Sequence, residues 1–114
     1  MERALLVYTT FPDAETALAV GEELVRARLA ACVNVLPGMA SVYAWKGAVE
    51  RGNEAVAIIK TREGRATALA GALKARHPYE TPIILHLPVA EADPDTMAWI
   101  MEETRGEAQA PATG

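Results

Sequence analysis

Three short segments of this chain, ALLVYT at 4–9, AVAII at 55–59 and PIILHL at 82–87, are apolar at nearly every position. In an extended chain successive side chains point to opposite faces, so each segment presents apolar surface on both. That feature constrains the fold more than any other. A sheet built from such strands must be covered on both sides, and the chain has to find cover for each.

Helices are available for one side. Asp13 can cap a helix with Glu15 in its first turn, and Ala17, Val20, Leu24 and Ala27, flanked by Leu18, Gly21 and Val25, recur at helical spacing. Arg65 to Arg76 carries Leu69 and Leu73 four residues apart, which predicts a second helix. Asp93, Pro94 and Asp95 read as a third helix start, leading into Met97, Ile100 and Met101. Between the first two helices, ACVNVLPGMASVYAW at 31–45 and AVERGNEAVAIIKT at 48–61 read as two long strands joined near Lys46–Gly47, with Ser41, Tyr43 and Trp45 on one face. Lys-Gly is a weaker two-residue turn than Asn-Gly, which points to a longer loop. Pro37–Gly38 and Gly52 are expected to mark bulges or bends. The element order is β-α-β-β-α-β with an added C-terminal helix. This is an α+β, ferredoxin-like arrangement in a single domain over 1–104, followed by a tail, RGEAQAPATG at 105–114, expected to be mobile.

In that topology right-handed crossovers place both crossover helices on the same sheet face. The opposite face is left apolar and bare, and the final helix is too short to cover it and the hairpin together. The central hairpin is about twice as long as the outer strands, so its far half has no partner in its own chain. A bare apolar face and an overhanging edge both predict pairing with further copies, and sites at the subunit junctions.

Composition excludes several classes of function. The net charge of −4 provides no basic stripe for nucleic acid. No apolar run reaches the roughly 18 to 20 residues of a membrane helix, and MERALLVYTTFPD reads as a strand instead of a signal peptide. The single cysteine, Cys32, cannot form an internal disulfide and suits a cytoplasmic protein. There is no nucleophile elbow, phosphate-binding glycine loop, HExxH or paired CxxC, so an enzyme is not expected.

The densest group of reactive side chains is RHPYETP at 76–82. Neutral imidazole is a good copper or zinc ligand, and in polyproline-type geometry His77 and Glu80 project to the same side with Cα atoms about 9 Å apart. The alternative is that His77 ends the helix and bonds one of its terminal carbonyls. Cys32 is expected to be a small buried hydrophobe, and His86 a hydrogen-bonded sheet residue. Tyr43 and Trp45 suit a packed interface. Alternatively they line, with Asn34, Glu54, Lys60 and Tyr79, a polar cleft between subunits, where Lys60 either holds a small anion or pairs with Glu54.

Four motifs carry a resemblance: LAACVNVLPG at 29–38, S-x-Y-x-W-x-G at 41–47, E-x-x-x-x-I-K-T at 54–61 and HPYETP at 77–82. Together, in this order, they resemble the CutA family of divalent-cation-tolerance proteins across residues 4 to 104. The resemblance implies a ferredoxin-like subunit in a tight homotrimer formed by strand pairing between subunits. It also implies a link to copper and other divalent metals, and an architecture comparable with the PII signalling proteins. Some members carry a cysteine at the position of Thr9 and a histidine at that of Arg76; this chain lacks both donors and keeps His77. The expected function is therefore a homotrimer that binds divalent metal, copper foremost, through His77 and Glu80. A PII-like ligand-sensing trimer and a scaffold trimer without a ligand are the rivals.

Overall fold

The computed structural model describes residues 2–106. Strand β1 (Ala4–Phe11), helix α1 (Ala14–Arg26), strands β2 (Cys32–Trp45) and β3 (Ala48–Arg62), helix α2 (Ala66–Arg76), strand β4 (Ile84–Pro88) and helix α3 (Pro94–Glu103) follow one another, with a 3-10 turn at Glu63–Arg65 before α2. The strands form one antiparallel sheet in the order β2-β3-β1-β4. This is the expected ferredoxin-like α+β arrangement with an added helix. The part of the tail at 107–114 lies outside the described residues.

Local chemistry sets the helix starts. The Asp13 carboxylate accepts from the Thr16 amide 2.7 Å away, and that bond lowers its pKa from the ordinary value. The Asp93 carboxylate accepts from Asp95 N–H at 3.0 Å, with Pro94 fixing the first turn of α3.

Pairing assigns the faces. Leu5, Val7, Thr9 and Phe11 of β1 stand opposite Thr61, Ile59, Ala57 and Ala55 of β3, and α1 and α2 bury this face with Ala17, Val20, Leu24, Leu69 and Leu73. The α1 stripe is narrower than expected. Ala17, Val20, Gly21 and Leu24 are buried, but Ala27 is the exposed C-cap, and Leu18 and Val25 open onto a groove beside Val33 of the edge strand β2.

The opposite face carries Leu6, Tyr8, Ile58, Leu85 and Leu87, and it is largely open. Leu85 is 54% exposed and Leu87 46%. Helix α3 covers only the end of this face at Ala4, where Ile100 packs with Ala31. It is held there by arginines that satisfy its C-terminal carbonyls: Arg28 donates to Glu102 O, and Arg62 and Arg65 donate to Thr104 O.

The central hairpin overhangs as expected. Strand β1 pairs with β3 only over Ala55–Arg62, so Ala48–Glu54 has β2 as its sole neighbour. The tip differs from expectation: Trp45 pairs directly with Ala48, a two-residue turn. Lys46 and Gly47 both take positive φ, 50° and 84°, as a type I′ turn requires, and the turn's twist matches the strands well enough to hold a lysine in that region. The Lys46 ammonium lies 5.4 Å from the Trp45 ring centroid, a contact that favours the turn further. Pro37–Gly38 is a bulge, with a register shift between Leu36 and Met39 and Gly38 at φ 72°. Gly52 is not: it pairs regularly with Ser41.

Candidate functional site

RHPYETP leaves the end of α2 and crosses to β4 as a strap fastened at two points. The first is His77, whose ring stacks on buried Phe11 with centroids 4.2 Å apart. Its Nδ1 accepts from Tyr79 N–H at 3.2 Å, which puts the ring proton on Nε2. Nε2–H then donates to Thr10 O at 2.8 Å, with Thr9 Oγ1 3.2 Å away. His77 does end the helix, but the carbonyl it bonds belongs to β1 and not to α2.

The second fastening is Tyr79, whose hydroxyl donates to Glu54 Oε2 at 2.8 Å. Burial, and then the bond to that carboxylate, push the phenol well above its ordinary value, so it stays a donor throughout the biological range. Ser41 donates to the other oxygen of Glu54, also at 2.8 Å. Residues from the strap, β3 and β2 therefore meet at one carboxylate.

The sequence-predicted cleft is not assembled within one chain. Tyr79, Glu54, Ser41 and Tyr43 gather at the base of the hairpin. Lys60 pairs with Leu6 and Cys32 six residues further along β3, about 20 Å away at strand rise, with Asn34 two residues on from Cys32. The reason is the direction of β4: the strap enters it at Ile84, opposite Thr9, whereas Lys60 lies through Leu6 level with its far end at Leu87. Trp45 lies beyond both groups at the hairpin tip, 36% exposed.

The expected metal pair fares differently from its sequence reading. Both ring nitrogens of His77 are engaged internally, so a metal at either would have to displace Thr10 O or Tyr79 N–H. Glu80 is exposed and makes no hydrogen bond or ion pair among the described residues. Among the described residues no three His, Cys, Asp or Glu side chains are grouped as a metal site needs. Within one chain, then, the described side chains do not fit a resident metal. Arg76 is occupied with Glu23 of α1 and the Ala72 carbonyl. Cys32 is half-buried at the start of an edge strand, where its thiol points to Asn34 Oδ1 at 3.6 Å, and so is not the buried hydrophobe expected. His86 is exposed on the edge strand β4 and makes no side-chain hydrogen bond among the described residues.

The sequence bears the same signature as the geometry. The family model described as CutA1 divalent ion tolerance protein matches residues 5–103. The chain belongs to this family. The divalent-cation tolerance protein CutA of Thermus thermophilus is 39% identical over 104 residues, which span 91% of this chain and 99% of that one. The crystal structure of CutA1 from Oryza sativa superposes with a TM-score of 0.87 at 36% identity, covering 91% of this chain and 95% of the other. The Thermus thermophilus CutA1 structure superposes with a TM-score of 0.85 at 39% identity, covering 89% and 98%. The CutA family is named for tolerance of divalent ions and not for a reaction.

The strap of this CutA protein carries a pH dependence. Burial lowers the proton affinity of His77, and the Thr10 bond offsets this only in part. The unfolded chain therefore binds the proton more readily than the folded one. The stabilisation is fully present above the ordinary imidazole value and is lost as pH falls through the lower, folded one. Protonated Nδ1 also cannot accept from Tyr79 N–H. In urea unfolding, the stability gap between wild type and His77→Ala is expected to narrow from pH 7.5 to pH 5; a gap that stays constant would show that His77 does not titrate with folding.

Proposed function

We propose that this CutA protein acts in divalent-cation tolerance as a homotrimer in the cytoplasm, where its one thiol stays reduced, and that it takes divalent metal, copper foremost, at donors completed between copies. The observation that carries the reading is the open apolar sheet face together with the overhanging hairpin. Leu36, Leu85 and Leu87 are about half exposed, and Val42 and Val49 are 67% and 78% exposed on the hairpin. Self-association gives these residues a dry partner, and a closed symmetric assembly leaves no edge for further growth. Shared donors follow from the chemistry within one chain: among the described residues no three His, Cys, Asp or Glu side chains are grouped, and copper needs several ligands. The test is sedimentation equilibrium at micromolar concentration, followed by Cu(II) titration of assembled and diluted protein. The expected results are a threefold mass and an affinity at least tenfold weaker after dissociation. A folded monomer at micromolar concentration sinks the assembly, and equal affinity in both states sinks the shared site.

One observation favours a second reading, a scaffold trimer with no ligand. The motif residues His77, Tyr79, Glu54 and Ser41 satisfy one another's hydrogen bonds, so none needs a ligand to explain it. Absence of any metal-induced rise in melting temperature across copper, zinc and other divalent ions would support it.

A further inference from the structure

We propose that the Tyr79–Glu54–Ser41 clamp sets the direction in which the central hairpin leaves the sheet, and so presents it in the orientation that a second copy pairs with. This rests on the self-association reading above.

The position of the clamp carries the inference. Ala55 is the last β3 residue that β1 reaches, opposite Phe11, and Glu54 is the next one out. The sheet narrows there to the two strands β2 and β3. A two-stranded ribbon is the most twisted and least supported form of sheet. On β2 the bulge between Leu36 and Met39 falls at the same level, so the ribbon also bends there. Left alone, the junction is a hinge. Beyond it every residue from Val42 to Arg51 is exposed in the single chain, and at its base β1 reaches the ribbon only through the weak contact of the Tyr8 hydroxyl with the Met39 sulfur at 3.8 Å, among the described residues.

The clamp bridges this hinge from outside the ribbon. Tyr79 reaches Glu54 from the strap, and Ser41 ties β2 to the same carboxylate. The strap is itself anchored in the core, because His77 stacks on Phe11 and bonds Thr10 O. A continuous set of contacts thus runs from a fully buried aromatic to the base of the hairpin. Glu54 is the joint in that path, a positioning residue with an acceptor oxygen for each side.

The experiment compares Tyr79→Phe, which deletes one hydroxyl and keeps the ring beside His77, with Glu54→Gln and Glu54→Leu. Amide hydrogen exchange is followed separately over the hairpin, 42–51, and over β1, 4–11, with sedimentation equilibrium on the same samples. Glu54→Leu is expected to speed exchange in the hairpin about tenfold while β1 stays unchanged, and to weaken self-association by roughly tenfold or more, the scale of a lost hydrogen bond to a charged group. Tyr79→Phe should give the same pattern less strongly, and Glu54→Gln, which keeps one acceptor, should fall between wild type and Leu. Hairpin exchange unchanged in Glu54→Leu overturns the proposal. So does acceleration spread equally over β1 and the hairpin, since that is general loosening. A monomeric wild type would remove the assembly reading, yet the exchange comparison would still decide whether the clamp holds the hairpin.

Discussion

Ile58→Glu is expected to give a folded protein that no longer self-associates. Ile58 lies in the middle of the open face, opposite Tyr8 on one side and Asn34 on the other, and is half-buried in the single chain. A glutamate there can keep its carboxylate in water while the helix-covered core, on the far side of the sheet, is untouched. In an assembly that closes over this face the same carboxylate is buried without a partner. An uncompensated buried charge costs about 3–5 kcal/mol, so association should weaken by roughly two to four orders of magnitude for each subunit that carries it. Sedimentation equilibrium beside far-UV circular dichroism reads both halves of the expectation. If Ile58→Glu remains assembled at micromolar concentration, the open face is not the surface through which copies meet.

The reason this face could be predicted at all is that it is written in two periodicities. Strands apolar on both faces, set beside helices with enough apolar surface for only one, leave a remainder that no rearrangement within the chain removes. The strand order and the overhang follow from the same pattern with the right-handed crossover rule. What was not legible is more local. The Lys46–Gly47 turn is tight because the hairpin's twist and the Trp45 ring favour it, and neither enters a propensity for the dipeptide. Gly52 looks like a bulge residue in sequence, but it is a plain paired position opposite Ser41.

The site was legible as a set of residues and not as a place. HPYETP and Glu54 stand out by type, but Ser41 stands out only as a strand-face and motif residue, and their meeting depends on the register set by the bulge at Leu36–Met39, which shifts every later pair on β2. Lys60 was drawn into the same group because it and the strap each lie next to a strand end in sequence. The fold puts them at opposite ends of the sheet, since β4 begins opposite Thr9 and Lys60 pairs with Leu6, which faces the far end of β4 at Leu87. His77 shows the limit of reading a ligand from residue type. Imidazole binds metal only through a free lone pair, and here Phe11, Thr10 and Tyr79 hold the ring so that both nitrogens are committed.

That commitment makes Phe11→Ala the substitution with the largest expected effect on stability. Phe11 is 1% exposed and among the largest fully buried side chains; it closes the end of β1, opposite Ala55. It packs in the main core on one side and carries the His77 ring on the other, so truncation opens a cavity and removes the stack together. A buried Phe→Ala change costs about 3–5 kcal/mol, a large share of the roughly 5–15 kcal/mol that a domain has in total. Phe11→Leu keeps most of the volume and loses only the stack, and should cost under about 1.5 kcal/mol. Urea unfolding of both variants at one fixed concentration is the measurement, because assembly makes apparent stability depend on concentration. The two variants separate packing from anchoring. If Phe11→Ala costs less than about 1 kcal/mol, the strap is not rooted in the core, and the path from Phe11 through His77 and Tyr79 to Glu54 loses its fixed end. If Phe11→Leu is nearly neutral in stability yet loosens the hairpin amides at 42–51, the His77 stack is what transmits the core's rigidity outward, independently of the volume it fills.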